Sequence, residues 1–389
     1  MRILLVTSLY PEGEKSKRTE TSYAIHNFIK YWNESNEILV IRIKSFGLKK
    51  LFNLFIQTNE FKFEDVNIKK IPLMSIHFLN RKFVKLSVNC ALKYLKGINF
   101  FPDVIISHCA TSHLIAYRMN KTYFNVKHVC GIHKADISKV QKGESEYIQC
   151  FQQCDLLACR SDSMKRRLLD LFNNKIVEKK LYIANSGVKE SFFEDIDEIK
   201  KKAISIDKKL SFVSVTSFIP RKKIDVVLKT LARLKQYEWN YTIIGDGRER
   251  GKLERIVDEF KLESRVLFTG YVEQEKVAEV LKNSNVFILI SDRETFGLVY
   301  LEAMANGCLV IGAKNWGVDG IVQHGKNGFL CEAGNEIEFE DVLKKIFSFS
   351  RSEWKKFIDA SYSTALQYKE KTVAKMYLDR IRKVVSETE

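Results

Sequence analysis

The sequence predicts an α/β protein made of two consecutive, doubly wound parallel-sheet domains. Three observations predict it. Short apolar runs alternate with amphipathic stretches, the pattern of β-α units feeding a parallel sheet. The 389 residues exceed what a single hydrophobic core usually organises. A charged stretch without a strand pattern, KESFFEDIDEIKKKAISIDKK at 189–209, separates two such series.

In the first series the apolar runs are 3–7, 38–43, 104–107, 126–131, 156–159 and 181–184. The first, ILLVT, has no polar alternation and reads as a strand covered on both faces. Residues 188–210, charged and either helical or loop-like, are expected to link the domains. The second series has strands at 210–215, 241–245, 266–269, 286–290 and 309–312, with helical patterns at 225–237 and 248–260. From residue 352 the chain reads as helix, with Tyr377, Ile381 and Val384 on one face. The expected domains are 1–195 and 205–365, with the helix at about 366–389 packing back on the first. Ligands of such sheets bind beyond the carboxyl ends of the strands, so the cleft between the halves is the expected site.

Composition narrows the function classes. The run in MRILLVTSLYP is too short for a signal peptide or a membrane span, and no later run approaches the roughly twenty apolar residues of a spanning helix. A cytoplasmic protein is expected. The eight cysteines show no metal-ligand spacing and are expected to be reduced thiols, with no metal bound. The net charge of +16, with clusters such as Arg81, Lys82 and Lys85, favours an anionic partner. No nucleic-acid module accompanies it. The segment IKSFGLKKLFNLFIQ (43–57) mixes lysines with apolar side chains and suits either an anionic membrane surface, on its inner face, or a core helix.

The strongest chemical signal is SDRETFGLVYLEAMANGCLVIG (291–312). A strand runs into a polar loop, and Glu294, Thr295, Phe296 and Gly297 precede a helix that starts with Leu298 and carries Glu302. Free amides at a helix start bind anions, and a glycine there lets a phosphate approach the main chain. Glu302 is placed to accept hydrogen bonds from a ribose, and Glu294 to orient the hydroxyls of a sugar.

This segment resembles the Glu, seven residues, Glu motif of the retaining GT-B glycosyltransferases of family four (glycosyl transferases group 1). The likeness runs through IIGDGRERGKLERIV (243–257), VLFTGYVEQEKVAEVLKNSNVFILIS (266–291), EAMANG and HGKNGFL, almost continuously from 210 to 330. It implies two Rossmann-like domains facing a central cleft, with the donor held mainly by the second. FVSVTSFIPRKKIDVVL (212–228) resembles the family's diphosphate-holding loop. Lys222 falls on the family lysine, Ser217 stands at the family arginine position, and Arg221 is the substitute from the same loop. Tyr271 and Val272 match the base-contacting loop, and Gly320 stands where a glutamate is usual, with Asp319 beside it. In the first half, VCGIHKADI (129–137) resembles the family's His-x-x-Asp segment and implies that His133 lies next to the donor sugar. His108 after the 104–107 strand is a secondary candidate, NSGV (185–188) resembles the end of the domain, and Thr21 Ser22 replaces a usual glycine turn.

The resemblance implies a nucleotide-diphosphate sugar as donor and transfer with retention to a glycan or lipid-linked acceptor. No DxD-like motif sits at a strand end, so neither metal nor cofactor is expected. Competing functions are weaker. The nearest dehydrogenase-like fingerprint, Gly245, Gly247 and Gly251, misplaces the third glycine and lies outside the first domain. A phosphorylase calls for a cofactor-binding lysine segment that is absent. A GT-B nucleotide-sugar epimerase and a non-catalytic basic membrane-surface protein are the alternatives.

Overall fold

The computed structural model describes residues 1–13, 23–46, 60–74, 80–109, 111–172, 175–206 and 209–387. Thr21, Ser22 and residues 47–57 of the basic segment lie outside the described residues. The chain divides into two compact units: Met1–Arg160 with Met164–Asn185 and Glu370–Glu389, and Ser161–Ser163 with Ser186–Lys369.

The first unit holds strands β1 (Arg2–Thr7), β2 (Glu37–Phe46), β3 (Glu60–Phe63), β4 (Val66–Met74), β5 (Val104–His108), β6 (Lys127–Ile132), β7 (Leu156–Cys159) and β8 (Leu181–Ile183). They form one sheet in the order β3-β4-β2-β1-β5-β6-β7-β8. All neighbours are parallel except β3 and β4. β1 is buried from Ile3 to Thr7, as a strand with helices on both faces must be. The β3–β4 hairpin turns at Glu64 and Asp65, both at positive φ (44° and 64°), the conformation of a tight two-residue hairpin turn.

The helix Glu370–Ser386 belongs to this unit. Val373, Ala374, Tyr377, Leu378, Ile381 and Val384 recur at helical spacing and are buried. Trp32 donates its indole N–H to the Ala374 carbonyl at 2.7 Å, and its ring meets Tyr377 edge-on at 5.2 Å.

The second unit holds β9 (Leu210–Val215), β10 (Trp239–Ile244), β11 (Val266–Gly270), β12 (Val286–Leu289), β13 (Leu309–Ala313) and β14 (Phe329–Cys331). Its sheet is wholly parallel, in the order β11-β10-β9-β12-β13-β14. Counted from β9 this is 3-2-1-4-5-6, the doubly wound order of dinucleotide-binding sheets. The order reverses between β9 and β12 here, and between β1 and β5 in the first unit. Ligands of such sheets sit beyond the strand ends at those two points.

The stretch expected to link the domains is helical over part of its length. Residues Ile196–Ser205 form a helix capped by Asp195, whose carboxylate accepts from the Asp197 amide at 2.8 Å. Ile199 and Ala203, four residues apart on one face, are buried in the core of the second unit. Lys202, half-buried, donates to the carbonyls of Leu281 (3.3 Å) and Asn306 (2.8 Å), where cations suit helix C-termini. The charged residues are the solvent face of a packed helix. Among the described residues no helix is long and apolar enough to cross a membrane.

Candidate functional site

In the second unit the loops that follow β9 and β12 meet at the point where the strand order reverses. The loop after β9 is pressed against the one after β10. The Thr216 amide donates to Ile244 O at 2.9 Å and the Phe218 amide to Asp246 O at 2.8 Å. A Cβ on Gly245 would lie 1.8 Å from the Thr216 carbonyl oxygen, so only glycine permits that approach. The short turn Pro220–Lys222 then leads into the helix Ile224–Ala232, with Pro220 at the first position, where its missing N–H costs nothing. The amide of Asp292, after β12, donates to the Arg221 carbonyl at 2.8 Å and joins the two loops.

This junction brings together the side chains singled out in the sequence. The Lys222 ammonium donates directly to Glu294 Oε2, with both side chains largely buried (10% and 14% exposed). Arg221 Nη1 lies 3.8 Å from the same oxygen. Ser291 Oγ donates to Glu294 Oε2 at 3.4 Å, and the Thr295 amide to Oε1 at 3.2 Å. Burial pushes the Glu294 carboxyl up, but Lys222, then Arg221 and the Thr295 amide, bring it below its ordinary range. Burial pulls the Lys222 ammonium down and outweighs the opposing pull of Glu294. Each charge is therefore tolerated because the other is there.

Gly297 begins the helix Leu298–Ala305 in the left-handed region (φ +75°), with no side chain capping its first amides. A Cβ there would lie 2.5 Å from the Tyr300 ring. Tyr300 is itself buried and donates its hydroxyl to the Leu289 carbonyl. An uncapped helix start beside two cations is an anion site. Phe296 is buried, and Thr295, Leu298 and Glu302 are half-buried, Glu302 in the second turn of this helix. Ser217 and Val272 are half-buried, and Tyr271 is 76% exposed with its hydroxyl 3.3 Å from the Asp246 carbonyl.

One contributor was missed in the sequence. Gly317 donates its amide to the Glu294 carbonyl at 3.0 Å, and a Cβ there would lie 2.8 Å from Glu294 Cγ. The signal for it is its position in the loop after β13, which also holds Asp319 and Gly320. Asp319 accepts from the Asn315 amide at 2.5 Å and shapes the same loop.

In the first unit the corresponding positions carry histidines. His108 ends β5 and His133 follows β6, with Nδ1 and Nε2 3.2 Å apart. The His108 ring occupies the space a Cβ on Gly131 would take, 1.9 Å from its Cε1. His133 heads the helix Lys134–Gln141, and its amide donates to Asp136 Oδ2 at 2.7 Å. Asp136 is fully buried and pairs with His113 Nε2 at 3.4 Å. His113 Nδ1 and His128 Nε2 lie 2.7 and 2.8 Å from one hydroxyl, that of Ser107. Sequence reasoning found the two histidines but not this supporting network, whose members come from different elements.

Burial pulls the His133 imidazole down to about 4 and His128 to about 3, and pulls His108 well below its ordinary value. The unfolded chain would hold these protons up to about pH 6.5. Stability is therefore complete above pH 6.5 and is lost as the pH falls toward the folded values. Each histidine costs up to about 1.4 kcal/mol per pH unit over that span. Thermal melts between pH 7.5 and 4.5 are expected to show a steep loss, shallower in the His128→Asn variant. A melting temperature flat over that range would refute the assignment of neutral imidazoles.

Residues 195–363 match the sequence family described as Glycosyl transferases group 1. An N-acetyl-alpha-D-glucosaminyl L-malate synthase of Bacillus anthracis is 30% identical over 247 residues, which span 61% of this chain and 64% of that protein. An uncharacterized glycosyltransferase of Methanocaldococcus jannaschii is 25% identical over 320 residues, 80% of this chain and 83% of that one. Among solved structures, Anabaena HepE in complex with UDP aligns with a TM-score of 0.74 at 15% identity, over 98% of this chain and 100% of that one. The apo lipopolysaccharide outer core galactosyltransferase WaaB aligns with a TM-score of 0.72 at 20% identity, over 98% and 99%. These likenesses show the fold, which is GT-B with two Rossmann-like α/β domains.

Proposed function

We propose that this chain, whose residues 195–363 form a group 1 glycosyltransferase domain, transfers a sugar with retention from a nucleotide diphosphate to a glycan or lipid-linked acceptor of a cell-surface polysaccharide or glycolipid. The observation that carries the proposal is the buried Lys222–Glu294 pair beside the uncapped helix start at Gly297. The solved relative bound to UDP, and others named for amylovoran and colanic acid biosynthesis, support the donor and acceptor classes.

The donor diphosphate would lie at the first amides of helix Leu298–Ala305, between Lys222 and Arg221. As the bond from the sugar's anomeric carbon to the β-phosphate oxygen breaks, its electron pair goes to that oxygen. Fixed cations and amides stabilise the charge where it appears, which is the largest contribution such a site can make. The acceptor hydroxyl bonds to the same carbon from the same face and passes its proton to the leaving phosphate oxygen. Glu294 and His133 would position the sugar, and Tyr271, Val272, Leu298 and Ser217 would line the base and diphosphate. The cations already present make a divalent metal unnecessary for this step. The net charge of +16 and the exposed Lys85, Lys93 and Lys96 on the helix Asn80–Gly97 support docking of the first unit on an anionic membrane surface that carries the acceptor.

Glu302 would hold the ribose. Hydrogen bonds to a charged acceptor contribute about 1.5–3 kcal/mol, so Glu302→Ala is expected to weaken donor affinity by about 10- to 100-fold with little change in kcat at saturation. The direct test is transfer from a panel of nucleotide sugars, with the anomeric configuration of the product read by proton NMR. A product of the donor's configuration is expected. Inverted product would refute retention, and an isomerised donor without acceptor would favour the epimerase.

A further inference from the structure

We propose that His128, Cys130, Cys150 and Cys154 form a structural zinc site inside the first unit, independent of glycosyl transfer. No spacing in the sequence suggests it, because the donors come from two separate elements. His128 and Cys130 are two apart on β6 and so share a face of the sheet. Cys150 and Cys154 are four apart, on the last turn and at the end of the helix Ser145–Gln153, so they share a face of that helix. The two pairs meet in the core.

The donor atoms of His128, Cys130 and Cys150 all lie within 4.8 Å of one another, and all three residues are buried. Cys154, buried one helical turn beyond Cys150, lies outside that set and would turn inward to supply the fourth donor. Cys130 Sγ and His128 Nε2 are 3.7 Å apart. Two ligands of a tetrahedral zinc, with bonds of about 2.3 Å to sulfur and about 2.0 Å to nitrogen, stand about 3.6 Å apart. That edge of the tetrahedron is therefore already set.

Three sulfurs and one imidazole are the donor set of a closed structural zinc site, and soft thiolates select zinc over the hard cations. On binding, each of the three thiols loses one proton to solvent, and three thiolates about one dication leave a single net negative charge. A donor for that charge is at hand: Ser107 Oγ lies 3.6 Å from Cys130 Sγ, and 2.8 Å from the His128 nitrogen it would release. His128 Nδ1 has no hydrogen-bond partner among the described residues. The alternative is that the thiols are small apolar side chains filling a core.

The experiment uses the full chain, purified without chelator under reducing conditions. Elemental analysis is expected to find one zinc per chain. Replacement by cobalt(II) is expected to give the visible absorption and sulfur-to-metal charge transfer of a tetrahedral thiolate site. Cys130→Ser and Cys150→Ser are expected to lose that spectrum, whereas Cys90→Ser, at an exposed position on another helix, is expected to keep it. Should the first two variants fail to fold, the wild-type cobalt spectrum and the fall in melting temperature on zinc removal decide the matter. Reduced wild-type protein that binds neither zinc nor cobalt with a thiolate spectrum, and melts alike with and without chelator, would overturn the proposal. Activity is not the readout, so this outcome leaves the glycosyltransferase proposal untouched.

Discussion

Lys222→Ala is expected to lower kcat by about 100- to 1000-fold, the usual loss when one fixed donor to a developing oxyanion is removed. Donor affinity should fall by less, because Arg221 and the helix amides remain. The substitution also strands Glu294, whose side chain is 14% exposed and would lose its bonded ammonium. Breaking one half of a buried pair costs about 3–5 kcal/mol, so a lower melting temperature must accompany the kinetic loss. The two effects are separable. A Lys222→Met, Glu294→Gln double variant removes both charges, keeps most of the volume and is expected to recover much of the melting temperature. It should recover none of the activity. Full turnover in either protein would show that the pair is a core salt bridge and nothing more.

Gly297→Ala is expected to reduce kcat/KM by at least about 100-fold, chiefly through donor affinity. At φ +75° an alanine carries a conformational cost of about 1–2 kcal/mol. Its methyl would also meet the Tyr300 ring at 2.5 Å. That ring cannot yield easily, because Tyr300 is buried and its hydroxyl is bonded to the Leu289 carbonyl. The first turn of the helix must shift instead, and with it the amides offered to the diphosphate. Gly251→Ala is the control. Nothing lies within 4 Å of its Cβ and its φ is not in the positive range, so the variant should keep wild-type activity and lose no stability. Measured donor affinity unchanged in Gly297→Ala would remove the helix start from the binding site.

The strands that position the donor site were legible because each is a short buried apolar run flanked by turn residues, as β9 and β12 are. The site itself was legible because Glu294, Gly297 and Glu302 lie in one strand–loop–helix passage, where local sequence encodes geometry. What sequence concealed follows from long-range packing. The β3–β4 hairpin turns through Glu64 and Asp65 rather than asparagine and glycine, and Lys69, Lys70 and Pro72 interrupt any alternation in β4. The stretch that holds the helix Ile196–Ser205 could be helix or loop from sequence, because only two apolar positions, Ile199 and Ala203, dock it. Gly317 touches Glu294 from a loop more than twenty residues away. The histidine network and the thiol cluster gather β5, β6 and three helices, and no spacing in one segment can announce such a meeting.

The central claim is that the second unit holds a nucleoside diphosphate between Lys222 and the helix that begins after Gly297. Calorimetric titration of the folded protein with UDP, GDP and ADP tests it most directly. The predicted result is saturable one-to-one binding of at least one of them, weakened in both Glu302→Ala and Lys222→Ala. Binding by none of the three, or binding that both variants leave unchanged, would contradict it.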